Sequence, residues 1–138
     1  MPRQTCSKTD GKGHMTDKYS ELHREVLRYS TKNGYPIDRF QPVQCQCGRN
    51  DLRLDSDDEC GAAVVTCPSC HSETDIQDSR DYAENLVRNI CTCEEETLLL
   101  GVGTAAYDDD SGDVRWVYVG GQCEACGLAG VYVDWHER

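Results

Sequence analysis

QCQCG, residues 44–48, places Cys45 and Cys47 a single residue apart at the end of a polar segment. Alone the pair is a weak signal, open to a metal site, a disulfide or a redox motif. Downstream lie CPSC (67–70), CTC (91–93) and CEAC (123–126), so eight of the ten cysteines fall into four close pairs in the order CxC, CxxC, CxC, CxxC. Nineteen residues separate the first two pairs and 29 the last two, with 20 between Cys70 and Cys91, so the chain reads as one unit written twice. Two four-cysteine sites explain this order: Cys45, Cys47, Cys67 and Cys70 in the first, Cys91, Cys93, Cys123 and Cys126 in the second.

Tetrahedral zinc is commonly held by four thiolates from two tight turns, each turn supplying two sulfurs and aiming backbone amides at them. A one-residue spacer serves if the first cysteine ends a strand and the second sits in the turn. Gly48 and Gly127 follow the second cysteine of their pairs, and Pro68 presets a turn angle inside CPSC. On these residues the stretch 43–135 resembles the zinc-ribbon fold group, whose signature is CPxC or CxxCG knuckles at the ends of a β-hairpin. The resemblance implies two structural zinc ions. His71 and Glu94 depart from it, standing where a ribbon often has glycine, and Cys60 or His71 is the nearest substitute ligand in the first site.

Competing readings have less support. The start, MPRQTCSKTDGKGH, has no apolar run suited to a signal peptide, and no later stretch approaches a membrane span, so the expectation is a cytoplasmic protein. A reducing compartment disfavours a disulfide framework. A rubredoxin-like iron site uses two-residue spacers in both knuckles, and a thioredoxin-like CPSC needs a long helix directly after it, where this chain has HSETDIQDS.

Between the cysteines, DLRLD, a turn at SDDECG, and AAVVT form one short hairpin; ETLLLGVGTAAY, the turn DDDSGD, and VRWVYVGGQ form a longer one, followed by a third strand, GVYVDW. In the long hairpin Leu98, Leu100 and Val102 share one face and Leu99 lies on the other, while Trp116 and Tyr118 oppose Val117 and Val119. A sheet apolar on both sides must be covered twice. Residues 17–32 carry a helical stripe of Tyr19, Leu22, Val26 and Tyr29, stopped by Asn33-Gly34 before Pro36. Tyr82, Leu86 and Ile90 at spacing four predict a connecting helix.

The fold class expected is therefore small α+β, metal-stabilised, with two tandem zinc ribbons, an N-terminal helix and a connecting helix. Its divisions are a disordered tail or expression tag at 1–14, helix and linker at 15–42, the first ribbon at 43–78, the connecting helix at 79–90 and the second ribbon at 91–138.

Fourteen basic residues against 25 acidic ones give a net charge of −11, which opposes binding to a phosphate backbone. The acids cluster at Asp55, Asp57, Asp58 and Glu59 in the first hairpin turn and at Asp108, Asp109, Asp110 and Asp113 in the second. They read as solvated turns or as prongs for a basic protein. DDDSGD lacks the alternating ligands of a calcium loop.

Four cysteines close a zinc shell where a catalytic site keeps a position open, and no other catalytic set stands out, so the expectation is not an enzyme. A basic protein partner is expected, by class analogy with immunity proteins and antitoxins that cap nuclease toxins. The alternatives are a transcription- or translation-associated ribbon contacting nucleic acid or polymerase through Lys18, Arg24, Arg28, Lys32 and Arg39, and a structural subunit of a larger complex.

Overall fold

Apolar stretches between and beside the cysteine pairs produce antiparallel strands, eight among the described residues, preceded by one long helix. The computed structural model describes residues 11–108 and 111–137, with side chains from Lys18 onward. After helix α1 (Gly11–Asn33), the first unit runs β1 (Arg39–Val43), CxC turn, β2 (Asp51–Asp57), β3 (Ala62–Thr66), CxxC turn, β4 (Glu73–Asp75). The second repeats it: β5 (Val87–Arg88), CxC turn, β6 (Leu98–Ala106), β7 (Val114–Gln122), CxxC turn, β8 (Ala129–His136). No described helix is long and apolar enough to cross a membrane.

The units exchange their leading strands. β1 pairs with β6 of the second unit, and β5 pairs with β2 of the first. The exchange is reciprocal in register: Cys91 follows Cys45 by 46 positions, and Leu98 follows Leu52 by the same 46. Moving 46 positions between units turns the pair Asp55↔Arg88 into Gly101↔Pro42 and Ser56↔Val87 into Val102↔Gln41, and all four pairings are present. Leu52 lies opposite its own counterpart Leu98 where β2 and β6 begin, so an internal two-fold passes through that pair.

The sheet thus has two related halves, β1-β6-β7-β8 and β5-β2-β3-β4, joined at β2 and β6. Their apolar sides share one core, with Leu52, Leu54, Ala63 and Val65 from one half and Leu98, Leu100, Val117, Val119, Val133 and Trp135 from the other. On the outer side of the β6-β7-β8 half, α1 buries Tyr19, Leu22 and Val26 against Leu99 and Tyr118. Both faces of the long hairpin are therefore covered within the chain.

Glycines bring the helix close. A Cβ on Gly120 would sit 2.6 Å from Val26 Cγ2, and one on Gly103 would sit 2.9 Å from Val26 Cγ1. Gly103 and Gly120 are thus the floor on which α1 rests. The Tyr29 hydroxyl and the Trp116 indole N–H both donate to Asp134, at 3.0 and 2.8 Å, and Asn33 donates to the Tyr118 hydroxyl at 3.0 Å. The helix stops as the Asn33-Gly34 signal implies. Gly34 takes φ 94°, and the Gly34 and Tyr35 amides donate to the Thr31 and Ser30 carbonyls, which satisfies two terminal acceptors.

Two expectations are corrected. The helix predicted over 79–90 does not form: two single 3₁₀ turns, Ile76–Asp78 and Arg80–Tyr82, are followed by β5. The Asp57 carboxylate accepts the Glu84 and Asn85 amides, and the ladder to β2 extends the chain beyond them, so the backbone is engaged outside any helix. The two expected hairpins are present, as β2–β3 and β6–β7, and they join in one sheet with exchanged leading strands. The expected tail lies outside the described residues over 1–10, and its last four residues belong to α1, which starts at Gly11 rather than near residue 17.

Gly120→Ala should destabilise the protein by about 1–3 kcal/mol, because a β-branched helical valine has little rotamer freedom to move away. Chemical denaturation checks this, and unchanged stability would mean that the helix does not sit on the glycine floor.

Candidate metal centres

Each CxC and CxxC turn is the tight end of a hairpin or strand crossover, and the two copies are built alike. In the CxC turns the Cys45 amide donates to Arg49 O and the Gly48 amide to Cys45 O; correspondingly, Cys91 donates to Glu95 O and Glu94 to Cys91 O. In the CxxC turns, Cys67 donates to Ser72 O and His71 to Cys67 O, matched by Cys123 to Leu128 O and Gly127 to Cys123 O. The fourth bonded position of each CxC turn and the fifth of each CxxC turn is left-handed: Gly48 at φ 99°, Glu94 at 76°, His71 at 66° and Gly127 at 84°. His71 and Glu94 thus occupy glycine positions of the turns, and neither joins the cysteine groups.

The turns bring together Cys45, Cys47, Cys67 and Cys70 in one group and Cys91, Cys93, Cys123 and Cys126 in another, with all ligand atoms of a group within 4.8 Å. The nearest pairs cross in the same way in both groups. Cys45 Sγ is 3.2 Å from Cys70 and Cys47 is 3.7 Å from Cys67; Cys91 is 3.5 Å from Cys126 and Cys93 is 3.5 Å from Cys123. Metal–sulfur bonds of about 2.3 Å in a tetrahedron put sulfurs about 3.8 Å apart, so both groups can close on one metal ion with small adjustments. Cys60 lies outside both groups and its amide donates to Asp57.

The electrostatics fit a cation. In the first group the Ser72 hydroxyl, the Cys47 amide and the Cys70 thiol favour the Cys45 thiolate and bring its pKa down to about 6. The Arg49 amide favours a Cys47 thiolate too, but the neighbouring Cys45 and Cys67 sulfurs and burial outweigh it and push its pKa up to about 11. The second group repeats the division. The Cys93 amide leads in lowering Cys91 to about 7, while Cys93, despite the Glu95 amide, is raised to about 12 by the Cys123 and Cys91 sulfurs. Four thiols this close resist ionising together unless a metal cation shares the site.

The groups differ in support. Cys91 and Cys123 are buried in the second, whereas only Cys67 is buried in the first. Arg49 braces the first by donating to Asp51 and to the Ser69 hydroxyl inside CPSC. Turns from both groups line a groove of about 420 Å³, with Arg49 and Pro68 from one and Glu94, Glu95 and Glu124 from the other. Arg53 also lines it, its Nε buried without a hydrogen-bond partner among the described residues.

The acidic candidates separate into two kinds. Asp55 is tied to Arg88, and Asp57, only 6% exposed, accepts the amides of Cys60, Glu84 and Asn85. Those amides, Asn85 first, hold the Asp57 carboxyl well below the ordinary range. Asp58, Glu59, Asp108 and Asp113 are exposed, and Asp109 and Asp110 lie outside the described residues. The tie between Asp57 and the linker carried no signal in the sequence, since two of its three amide partners lie 27 and 28 positions away.

No family model matches the chain, and neither the curated proteins nor the solved structures contain a match.

Glycine at a left-handed position avoids roughly 1 kcal/mol of strain. Gly48→Ala should therefore destabilise the protein by about that amount, while the equivalent Glu94→Gly should leave it as stable or more so; equal losses at both positions would break the equivalence of the turns. Asp57→Asn should lower the melting temperature at pH 7. The folded carboxyl lies below its unfolded value of about 4, so its stabilisation is present above that pH and lost as the pH falls through the folded value. The difference between variant and parent in a melting series should narrow below about pH 4, and a pH-independent difference would exclude the ionic role.

Proposed function

We propose that this chain is a non-enzymatic tandem zinc-ribbon protein whose acidic surface binds a basic protein. The metal reading rests on the two four-sulfur groups, whose all-thiolate donor set suits zinc and whose four protein ligands leave no position for substrate. Their work is scaffolding: each group clamps the ends of strands that the two-fold exchange interlocks. Zinc would supply cross-linking free energy there, on the order of 10 kcal/mol per site.

The observation that carries the partner reading is how the charges are used. Lys18 is paired with Glu124, Arg28 with Glu25, Arg80 with Glu73 and Arg88 with Asp55 and Glu96, while Asp58, Glu59, Glu84, Glu94, Asp108 and Asp113 stay exposed. With a net charge of −11, the surface offers carboxylates to a cationic protein and would draw it in by long-range attraction. An immunity- or antitoxin-like inhibitor of a basic toxin is the class this surface fits. The same pairing of Lys18 and Arg28 breaks up the basic stripe that a nucleic-acid reading relies on.

Native mass spectrometry should find two zinc ions per chain in the parent, and Cys91→Ser should lose one of them together with most of its thermal stability. One ion in the parent, or a Cys91→Ser protein that melts like the parent, would refute the tandem-site reading. Capture of a basic protein from native extract should weaken steeply as salt rises.

A further inference from the structure

The internal two-fold makes two equivalent grooves, each between the leading and trailing strand of a unit. One, of about 280 Å³, lies along β1 and β4 and is lined by Gln41, Val43, Ile76 and Val102. Its counterpart of about 400 Å³ is lined at the corresponding positions by Val87, Asn89, Tyr132 and Ser56. Shared architecture makes their chemical differences informative.

The first groove is guarded. Its leading strand carries Pro42, which removes an edge donor, and glutamine stands where the second has Val87. The second is not. Val87, which lines it, is 56% exposed, and Leu86 and Ile90 on the same segment, outside the groove lining, are 38% and 50% exposed. β5 pairs with β2 on one side, and no described strand lies on the other. Asp58 and Glu59 line this groove, and no lysine or arginine does.

We propose that the β5 edge and its groove form the docking surface for an extended, basic segment of a partner protein. This rests on the basic-partner reading above and gives it a location. The segment's backbone would add to the free edge of β5. Its apolar side chains would cover Val87 and Tyr132, and its lysines or arginines would reach Asp58 and Glu59. Charge decides between occupants: a second copy of this chain, at −11, would set carboxylates against carboxylates, whereas a cationic strand neutralises them.

The test uses the full-length protein and two fluorescein-labelled peptides of equal charge, KVKVTVK and KSKSTSK, followed by anisotropy at low and high salt. KVKVTVK should bind at least about tenfold more tightly than KSKSTSK. Val87→Ser combined with Ile90→Ser, both solvent-exposed changes, should remove that advantage. Asp58→Asn with Glu59→Gln should weaken both peptides and flatten the salt dependence. Equal binding of the two peptides, or an advantage that survives the Val87/Ile90 change, overturns the proposal. If binding is instead lost on Asp108→Asn with Asp113→Asn, this groove is refuted and the acidic-surface reading stands. If neither peptide binds the parent, both fall.

Discussion

Leu52 opposite Leu98 is the contact around which the molecule is arranged. At that point β2 and β6 meet through a ladder of two residue pairs, and everything else is duplicated about it. So short a ladder cannot be strong by itself. It persists because each unit lends its leading strand to the other, β1 to β6 and β5 to β2, and because both apolar sides drain into one core. A unit removed from its partner would lose a strand and half of its apolar cover. The cysteine groups sit at the strand ends of this arrangement, where the β1–β2 turn meets the β3–β4 turn and the β5–β6 turn meets the β7–β8 turn.

The parts of this arrangement that were legible in the sequence are those encoded locally. CxC and CxxC fix four turns because a knuckle is defined within five residues, and alternation in LLLGV and VRWVYV fixes a hairpin with two apolar faces. The strand exchange was not legible, because RFQPV and VR have no pattern that chooses a partner some 60 positions along the chain from β1 or 30 back from β5. The linker misled for a different reason. Tyr82, Leu86 and Ile90 keep helical spacing, yet each is at least 38% exposed, so the stripe has no core to face. Periodicity signals a helix only where something buries the stripe. Here Asp57 and β2 claim the backbone, and the apolar side chains stay outside.

The acidic residues show how a composition argument must be divided before it bears on function. Asp55 and Asp57 belong to the same run as Asp58 and Glu59, but β-strand alternation and the linker amides turn them into parts of the framework. An ion pair with Arg88 and three amide donors leave them little free charge for a partner. Of the two hairpin-turn clusters, what remains exposed among the described residues is Asp58 and Glu59, which line one groove with Val87 and Tyr132, and Asp108 and Asp113 at the far end of the long hairpin. The total of −11 therefore overstates the charge these two turns present, and further exposed carboxylates such as Glu94, Glu95 and Glu124 stand around the cysteine turns.

The turns themselves raise a last physical point. His71 and Glu94 adopt the same left-handed conformation as Gly48 and Gly127, although each side chain there is strained by roughly 1 kcal/mol. A backbone held only by its own hydrogen bonds would favour glycine at all four positions. A turn whose two sulfurs are also fixed by a metal is over-determined, since metal binding on the order of 10 kcal/mol exceeds the strain several times over. A metal bound at each group would in this way offset the strain of a charged or titratable side chain at two of the four turns. The two non-glycine turns belong to different groups, one in each, so each four-cysteine group pairs one glycine knuckle with one strained one.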